Sequence, residues 1–256
     1  MSGDLDKFFL NKQGHEDISV EPFGRGPIRF HRRIPGYRAS PLRRMEAAER
    51  ELGVRAVWVK DESDRFGLPA FKVLGASWAV YRKLVEEFAV LDEDWWSLEQ
   101  LSERILHPPD LELVTATDGN HGRGVARVAA WFGLGARIYM PAGSAEPRIE
   151  AIRSEGAEVI VVDGDYDDAV AMAAGETGPG AWLIQDTAWP GYEQIPCWIV
   201  EGYSTIGHEV DEELARSGEP DPDLVIVQIG VGSLAASMVR HFKNAGRQEK
   251  PKIIGV

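Results

Sequence analysis

Three short segments of this 256-residue chain carry residue types that could do chemistry. In PAFKVLGAS, Lys72 lies among Phe71, Val73 and Leu74. Apolar surroundings can turn a lysine amine into a nucleophile for a carbonyl carbon, the chemistry of a Schiff base. Taken alone, a lysine at a helix start is more often a solvated surface residue. In TATDGNHGRG, residues 115–124, two glycines flank Asn120 and His121 at the end of an apolar strand. Such a turn can aim backbone N–H groups at an anion, and equally suits a plain capped strand-to-helix turn. The glycine spacing is GxxGxG, not that of a dinucleotide fingerprint, and no second histidine stands four residues on to complete a metal pair. In QIGVGSLAA, residues 228–236, Gly230 and Gly232 precede a helix start, where the amides of residues 231–234 could cradle a phosphate. It lacks the lysine of a triphosphate-binding loop.

The elements that must position these segments follow from hydrophobic period. From residue 111 onward, β-branched runs alternate with amphipathic ones, which predicts βα units on a parallel sheet. Strands are expected at residues 111–117, 136–140, 158–162 and 181–185, with helices between them stopped at Gly133 and Gly156. A long helical stretch over residues 195–218, a strand at 224–230, a helix from Ser233 and a last strand KIIGV complete the pattern. Upstream, residues 54–63 read as a strand and 77–90 as a helix, and residues 91–110 as an insertion.

The chain carries a formal charge of −13, which argues against broad binding to nucleic acid or to an anionic membrane. Its single cysteine, Cys197, can form neither an internal disulfide nor a CxxC site, which favours a reducing compartment. The first residues lack the apolar core of a signal peptide, and no apolar run is long enough to cross a membrane. A cytoplasmic location is expected.

KDESDRFGLPAFKVLGA, DGNHGRG and GVGSL, in that order, resemble the fold-type II pyridoxal-phosphate enzymes, a family that includes threonine and serine dehydratases, cysteine synthase and serine racemase. The resemblance begins near Pro41 and implies an α/β fold, tryptophan synthase beta-like, of two lobes, each a parallel sheet covered by helices. Residues 1–76 and 189–256 would belong to the large lobe and 77–188 to the small one. It also implies pyridoxal 5'-phosphate as cofactor. Lys72 would carry the Schiff base beside Phe71, Asn120 would bond the cofactor's phenolic oxygen, and Gly230, Val231, Gly232, Ser233 and Leu234 would hold its phosphate. Val231 and Ser233 stand where dehydratases commonly have glycine. Thr117, Asp118, Gly119, His121 and Asp186 would meet a small amino-acid substrate, and no metal ligand is expected.

Asp118 stands where the dehydratases usually have serine, and the run from Asp186 through GYEQIPCWIVEGYSTIGHEV resembles the diaminopropionate ammonia-lyases of the same family. Asp186 also suits a plain cap of the turn DTAWPG. The resemblance implies α,β-elimination from 2,3-diaminopropionate, giving pyruvate and ammonia, with Lys72 taking the Cα proton of the L-isomer and Asp118 that of the D-isomer. Asp186 would orient the β-ammonium. A threonine or serine dehydratase and a non-catalytic cofactor-binding fragment are the alternatives. Family members continue past KIIGV, so the large lobe is expected to be incomplete, with no residue to carry the ring-nitrogen contact. An apolar edge formed by residues 224–229 beside Ile253 and Ile254 would then be exposed, to be covered by a partner or a second copy in a homodimer.

Overall fold

A computed structural model describes residues 20–89, 95, 97–104 and 110–256 of the chain. The first part holds α1 (Gly26–His31), β1 (Leu42–Arg44), α2 (Glu46–Leu52) and β2 (Trp58–Lys60), and β1 and β2 pair antiparallel with Leu42 opposite Lys60. The strand expected over residues 54–63 shortens to three residues, β2. Next come α3 (Lys72–Phe88) and α4 (Leu98–Arg104). Within the proposed insertion at 91–110, residues 91–94, 96 and 105–109 lie outside the described residues, as does Val90 at the expected end of α3.

The βα units follow as β3 (Glu112–Ala116), α5 (Asn120–Phe132), β4 (Gly135–Pro141), α6 (Glu146–Arg153), β5 (Glu158–Val162), α7 (Tyr166–Gly175) and β6 (Ala181–Leu183). These four strands form one parallel sheet in the order β5-β4-β3-β6. The chain moves outward from β3 to β5 and then returns to the opposite side of β3. That reversal opens a crevice beyond the carboxyl ends of β3 and β6, where sheets of this kind hold ligands. Asp118 follows β3 and Asp186 follows β6, so both expected site loops border it.

The remaining elements are α8 (Gln194–Gly202), α9 (Ser204–Ser217), β7 (Leu224–Val227), α10 (Ser233–Phe242) and β8 (Lys252–Gly255), with β7 and β8 paired in parallel. The single long helix expected over 195–218 is divided at Tyr203, where the Ile206 N–H reaches back only to the Tyr203 carbonyl and the turn tightens. Tyr203 is fully buried there, its ring edge-on to Phe71 at 5.0 Å.

Helix α3 begins at Lys72, five residues before the start expected from sequence. Val73, Leu74, Gly75 and Ala76 are all buried, so packing extends the helix past the point where its amphipathic pattern becomes readable. The core forms around this helix. Phe30 stacks on Tyr81 at 4.4 Å, and Trp78 and Trp95 close the same aromatic cluster. A buried ionic knot ties the segment before Lys72 to α9: Arg65 donates to both Glu209 oxygens at 2.7 and 2.8 Å and to Glu62 at 2.9 Å, and Lys60 meets Glu209 at 2.9 Å.

The β7–β8 ribbon turns Val227 and part of Ile253 inward and leaves Leu224, Ile226, Ile229, Ile254 and Val256 exposed. The apolar edge expected from sequence is therefore present, although Ile253 belongs to the packed side. Among the described residues no helix is long and apolar enough to cross a membrane.

Candidate active site

Lys72 opens α3 with Phe71 as the residue before it. Its Nζ lies 5.8 Å from the centre of the Phe71 ring and 6.0 Å from that of Tyr203, so aromatic faces wall the amine on one side. On the other side Nζ donates to Asp186 Oδ2 at 2.6 Å. The backbone around Lys72 is reached closely by α5: a Cβ at Gly124 would stand 3.1 Å from Val73 N and 3.3 Å from the Lys72 carbonyl carbon. Only glycine permits that approach without displacing one of the two helices.

Asp186 is 4% exposed and is delivered by the end of β6. Gln185, just before it, accepts from the Ala116 N–H at 3.0 Å and from Thr115 at 2.9 Å, and donates to Tyr166 at 2.9 Å. This side chain replaces the ladder where β6 ends at Leu183, two residues earlier than expected, and fixes Asp186 against β3. The carboxylate meets the lysine rather than capping its own turn. Burial penalises its charge, and the Lys72 ammonium that it accepts from favours it, so the carboxyl is held below the usual range.

His121, in the first turn of α5, is also buried. Its Nε2 lies 2.7 Å from the Ile184 carbonyl, and its Nδ1 is 3.8 Å from Asp186 Oδ2 with no hydrogen-bond partner. Burial, aided by the charge of Lys72, lowers its pKa although Asp186 opposes the shift. Thr117 builds the loop, its Oγ1 accepting from the N–H groups of Gly119 and Gly122 at 2.9 and 3.1 Å. Asp118 and Asn120 are exposed on that loop, and the Asp118 carbonyl accepts from Arg148 at 3.1 Å.

The glycine loop joins the same place. Gly232, with φ of +93°, is in the left-handed region and turns the chain into α10. Ser233, first in that helix, donates through Oγ to the Asp186 carbonyl at 2.8 Å. A Cβ at Gly230 or Gly232 would meet nothing within 4 Å, so the loop borders open space at a helix N-terminus, the setting a phosphate group needs. Val231 is exposed and Leu234 half-buried beside it.

Lys72, Phe71, His121, Asp186 and Ser233 are thus brought into one neighbourhood, with Asp118 and Asn120 at its solvent side. Tyr203, Tyr166, Gln185 and Gly124 belong to it as well. Gly124 is the last glycine of the DGNHGRG motif, and Gln185 stands beside Asp186, whereas nothing in the spacing of Tyr166 and Tyr203 marks them, since each reaches the site from a different element. A cleft of about 550 Å³ between Tyr37, Arg38, Phe66, Arg127 and Trp131 includes none of these groups. A further cluster, His208, Asp211 and His241, has metal-like ligand types, but the Arg247 guanidinium bonds Asp211 and already supplies the cation there.

A lysine walled by aromatic rings, the loop of Asn120 after β3 and the glycine turn into α10 thus border one crevice of an α/β scaffold, and residues 34–256 match the family model described as pyridoxal-phosphate dependent enzyme. The chain belongs to that family, with the fold-type II architecture. It is 42% identical over 241 residues to a diaminopropionate ammonia-lyase of Salmonella typhimurium, covering 91% of this chain and 58% of the relative. It superposes with a TM-score of 0.79 and 39% identity on the crystal structure of the Escherichia coli diaminopropionate ammonia lyase in complex with an aminoacrylate-PLP azomethine reaction intermediate, covering 87% of this chain and 57% of that one. An Escherichia coli biosynthetic threonine dehydratase is 29% identical over 92% of this chain. The chain spans a little under three fifths of the length of the ammonia-lyases it matches.

Proposed function

We propose that this chain forms the site of a pyridoxal-phosphate-dependent ammonia-lyase that eliminates the β-amino group of 2,3-diaminopropionate, in either enantiomer, to give pyruvate and ammonia. The observation that carries the reading is the 2.6 Å contact between Lys72 Nζ and the buried Asp186 carboxylate, because a dehydratase substrate offers no second ammonium for such a carboxylate. The residues fit the cofactor: Lys72 would hold it covalently, Phe71 would pack beside it, Asn120 would face its phenolic oxygen, and Gly230 to Leu234 would hold its phosphate. When bound it supplies an electron sink for the charge left at Cα.

The chain's own groups do the rest. Lys72 Nζ takes the Cα proton on one face and the Asp118 carboxylate on the other, which explains how both isomers could turn over. The first N–H groups of α5, at Asn120 and His121, would bind the substrate carboxylate, since those of Gly119 and Gly122 are taken by Thr117. Asp186 accepts hydrogen bonds from the β-ammonium and orients it for departure. We further propose the lobe division at residues 76/77 and 188/189, supported by the four-stranded sheet lying wholly within 77–188. A cytoplasmic setting is supported by the lone cysteine, and a homodimer by the exposed apolar side of β7–β8.

The test is an absorbance spectrum of the chain with pyridoxal 5'-phosphate, in which a lysine-bound band is expected and is lost in Lys72→Ala. Pyruvate release from D- and L-diaminopropionate is then compared with keto-acid release from threonine and serine. Faster turnover of threonine or serine points to a dehydratase, and a band without turnover of any substrate to a binding fragment; either overturns the proposal.

A further inference from the structure

His121 is a buried imidazole whose two nitrogens meet opposite circumstances. Nε2 faces the Ile184 carbonyl at 2.7 Å, and a carbonyl only accepts, so the ring proton is on Nε2. Nδ1 then presents a lone pair with no donor, inside the protein, 3.8 Å from Asp186 Oδ2. An acceptor facing a carboxylate is an arrangement that stabilises nothing as it stands. It becomes intelligible from the other contact of the same oxygen, since Oδ2 is the atom that accepts from Lys72.

Asp186 is only 4% exposed, so its charge needs a donor or cation at all times. A buried carboxylate stripped of its partner is left desolvated and unpaired, or else takes up a proton. On the reading above, Lys72 is drawn away when its nitrogen is bonded elsewhere. Among the described residues, the other titratable nitrogen that pairs with the oxygen it leaves is Nδ1 of His121.

We infer that His121 is a positioning residue that takes over the Asp186 carboxylate whenever Lys72 lets go: Nδ1 takes up one proton from solvent, the imidazolium donates Nδ1–H to Oδ2, and the proton returns to solvent when an ammonium comes back. Asp186 thereby stays ionised and aimed into the crevice, ready for the β-ammonium of a diamino substrate. The charged groups that face His121 are Asp186 after β6, Lys72 on α3 and Asp118 on the β3–α5 loop. With Lys72 in place, burial keeps the imidazole neutral; without it, Asp186 and Asp118 both favour the cation. The 3.8 Å gap is about 1 Å longer than a charge-assisted bond and closes by a small tilt of either side chain.

This inference rests on the proposed function for its purpose, but its test does not need turnover. The ring nitrogens and protons of His121 are followed by NMR in the whole chain without cofactor, as wild type, Lys72→Met and Lys72→Met/Asp186→Asn. Wild type is expected to show the neutral Nε2–H form at neutral pH. Lys72→Met is expected to gain an exchange-protected Nδ1 proton, with the His121 midpoint raised by about 1–3 pH units. The double variant is expected to lose that proton. Removing a lysine charge alone would raise the midpoint without producing an Nδ1–H bond that depends on Asp186, so the double variant separates positioning from simple electrostatics. Lys72→Leu, which likewise offers no donor, serves the same comparison if Lys72→Met does not fold. A Lys72 variant whose His121 stays neutral and without an Nδ1 proton, or a double variant that keeps it, overturns the inference. Failure of turnover with the NMR result intact would instead count against the ammonia-lyase reading alone.

Discussion

Lys72 on α3 and Asp186 after β6, 114 residues apart in sequence, meet at 2.6 Å between Nζ and Oδ2. The contact couples the residue expected to hold the cofactor to the residue expected to hold the leaving amine. It also means that neither can be altered without exposing the other. Asp186→Asn keeps the shape and removes the charge, and is expected to lower pyruvate release from diaminopropionate by about a hundredfold or more. A steady-state assay beside the absorbance band of the bound cofactor checks this, since the band itself should persist.

Asp118 lies exposed on the loop that follows β3, on the solvent side of the site. Asp118→Asn is expected to abolish turnover of D-diaminopropionate while sparing the L-isomer, whose proton is proposed to go to Lys72. Separate assays with the two pure enantiomers decide it, and undiminished D-isomer turnover would refute the two-base assignment.

Gly124 sets how closely α5 approaches Lys72. Alanine there gains about 1 kcal/mol in helix propensity. Its Cβ, however, would lie 3.1 and 3.2 Å from Val73 N and Cα, backbone atoms that no rotamer change can move aside. Overpacking of that kind costs about 1–3 kcal/mol, so the net effect of Gly124→Ala is expected to be a lower melting temperature together with weaker pyridoxal phosphate binding. A thermal scan and a cofactor titration measure the two halves of the expectation.

Arg65 is 1% exposed and clamps Glu209 with both arms of its fork while also bonding Glu62. Arg65→Met removes the cation that Glu209 and Glu62 share, leaving Glu209 to Lys60 and Tyr37 and Glu62 to Ser40, and is expected to cost about 3 kcal/mol, a fall of roughly 10 °C in melting temperature. Arg65→Lys is expected to recover little of it, because one ammonium cannot match the bidentate geometry. Calorimetry of the two variants against wild type tests this, and a near-native Arg65→Lys would refute it.

His31 predicts the acid behaviour of the fold. Its ring bonds Thr205 at 2.7 Å and the Leu74 carbonyl at 3.0 Å, and burial together with the nearby Arg65 charge lowers its pKa to about 3. The unfolded chain protonates this ring near its ordinary 6.5, so between pH 6.5 and 3 the unfolded state binds more protons. Stability from this residue is complete above pH 6.5 and declines as pH falls, by at most about 1.4 kcal/mol per unit. His31→Asn, which keeps an amide donor, should flatten that slope in urea unfolding measured between pH 6.5 and 4. An unchanged slope would show that His31 is not its source.

Much of the architecture was legible because it is local. The βα alternation from residue 111, the glycine stops and the three chemical segments all follow from periodicity and turn chemistry within short windows. What windows cannot hold is competition between distant groups. Helix α3 runs back to Lys72 because packing buries Val73 to Ala76, and β6 stops early because the Gln185 side chain takes over the bonds to β3. One expected helix becomes two at Tyr203, a residue that packs on Phe71, 132 residues upstream.

The sequence by itself determined the α/β class, the order of the three motifs and the residue types able to form a cofactor site, since these depend on near-neighbour patterns and side-chain chemistry. Only the tertiary structure decided which of those residues touch. Strand order β5-β4-β3-β6 placed the loops after β3 and β6 side by side, and that proximity joined Lys72, Asp186 and His121. Pairing of strands far apart in the chain is set by burial summed over the whole core, and no single segment contains that sum.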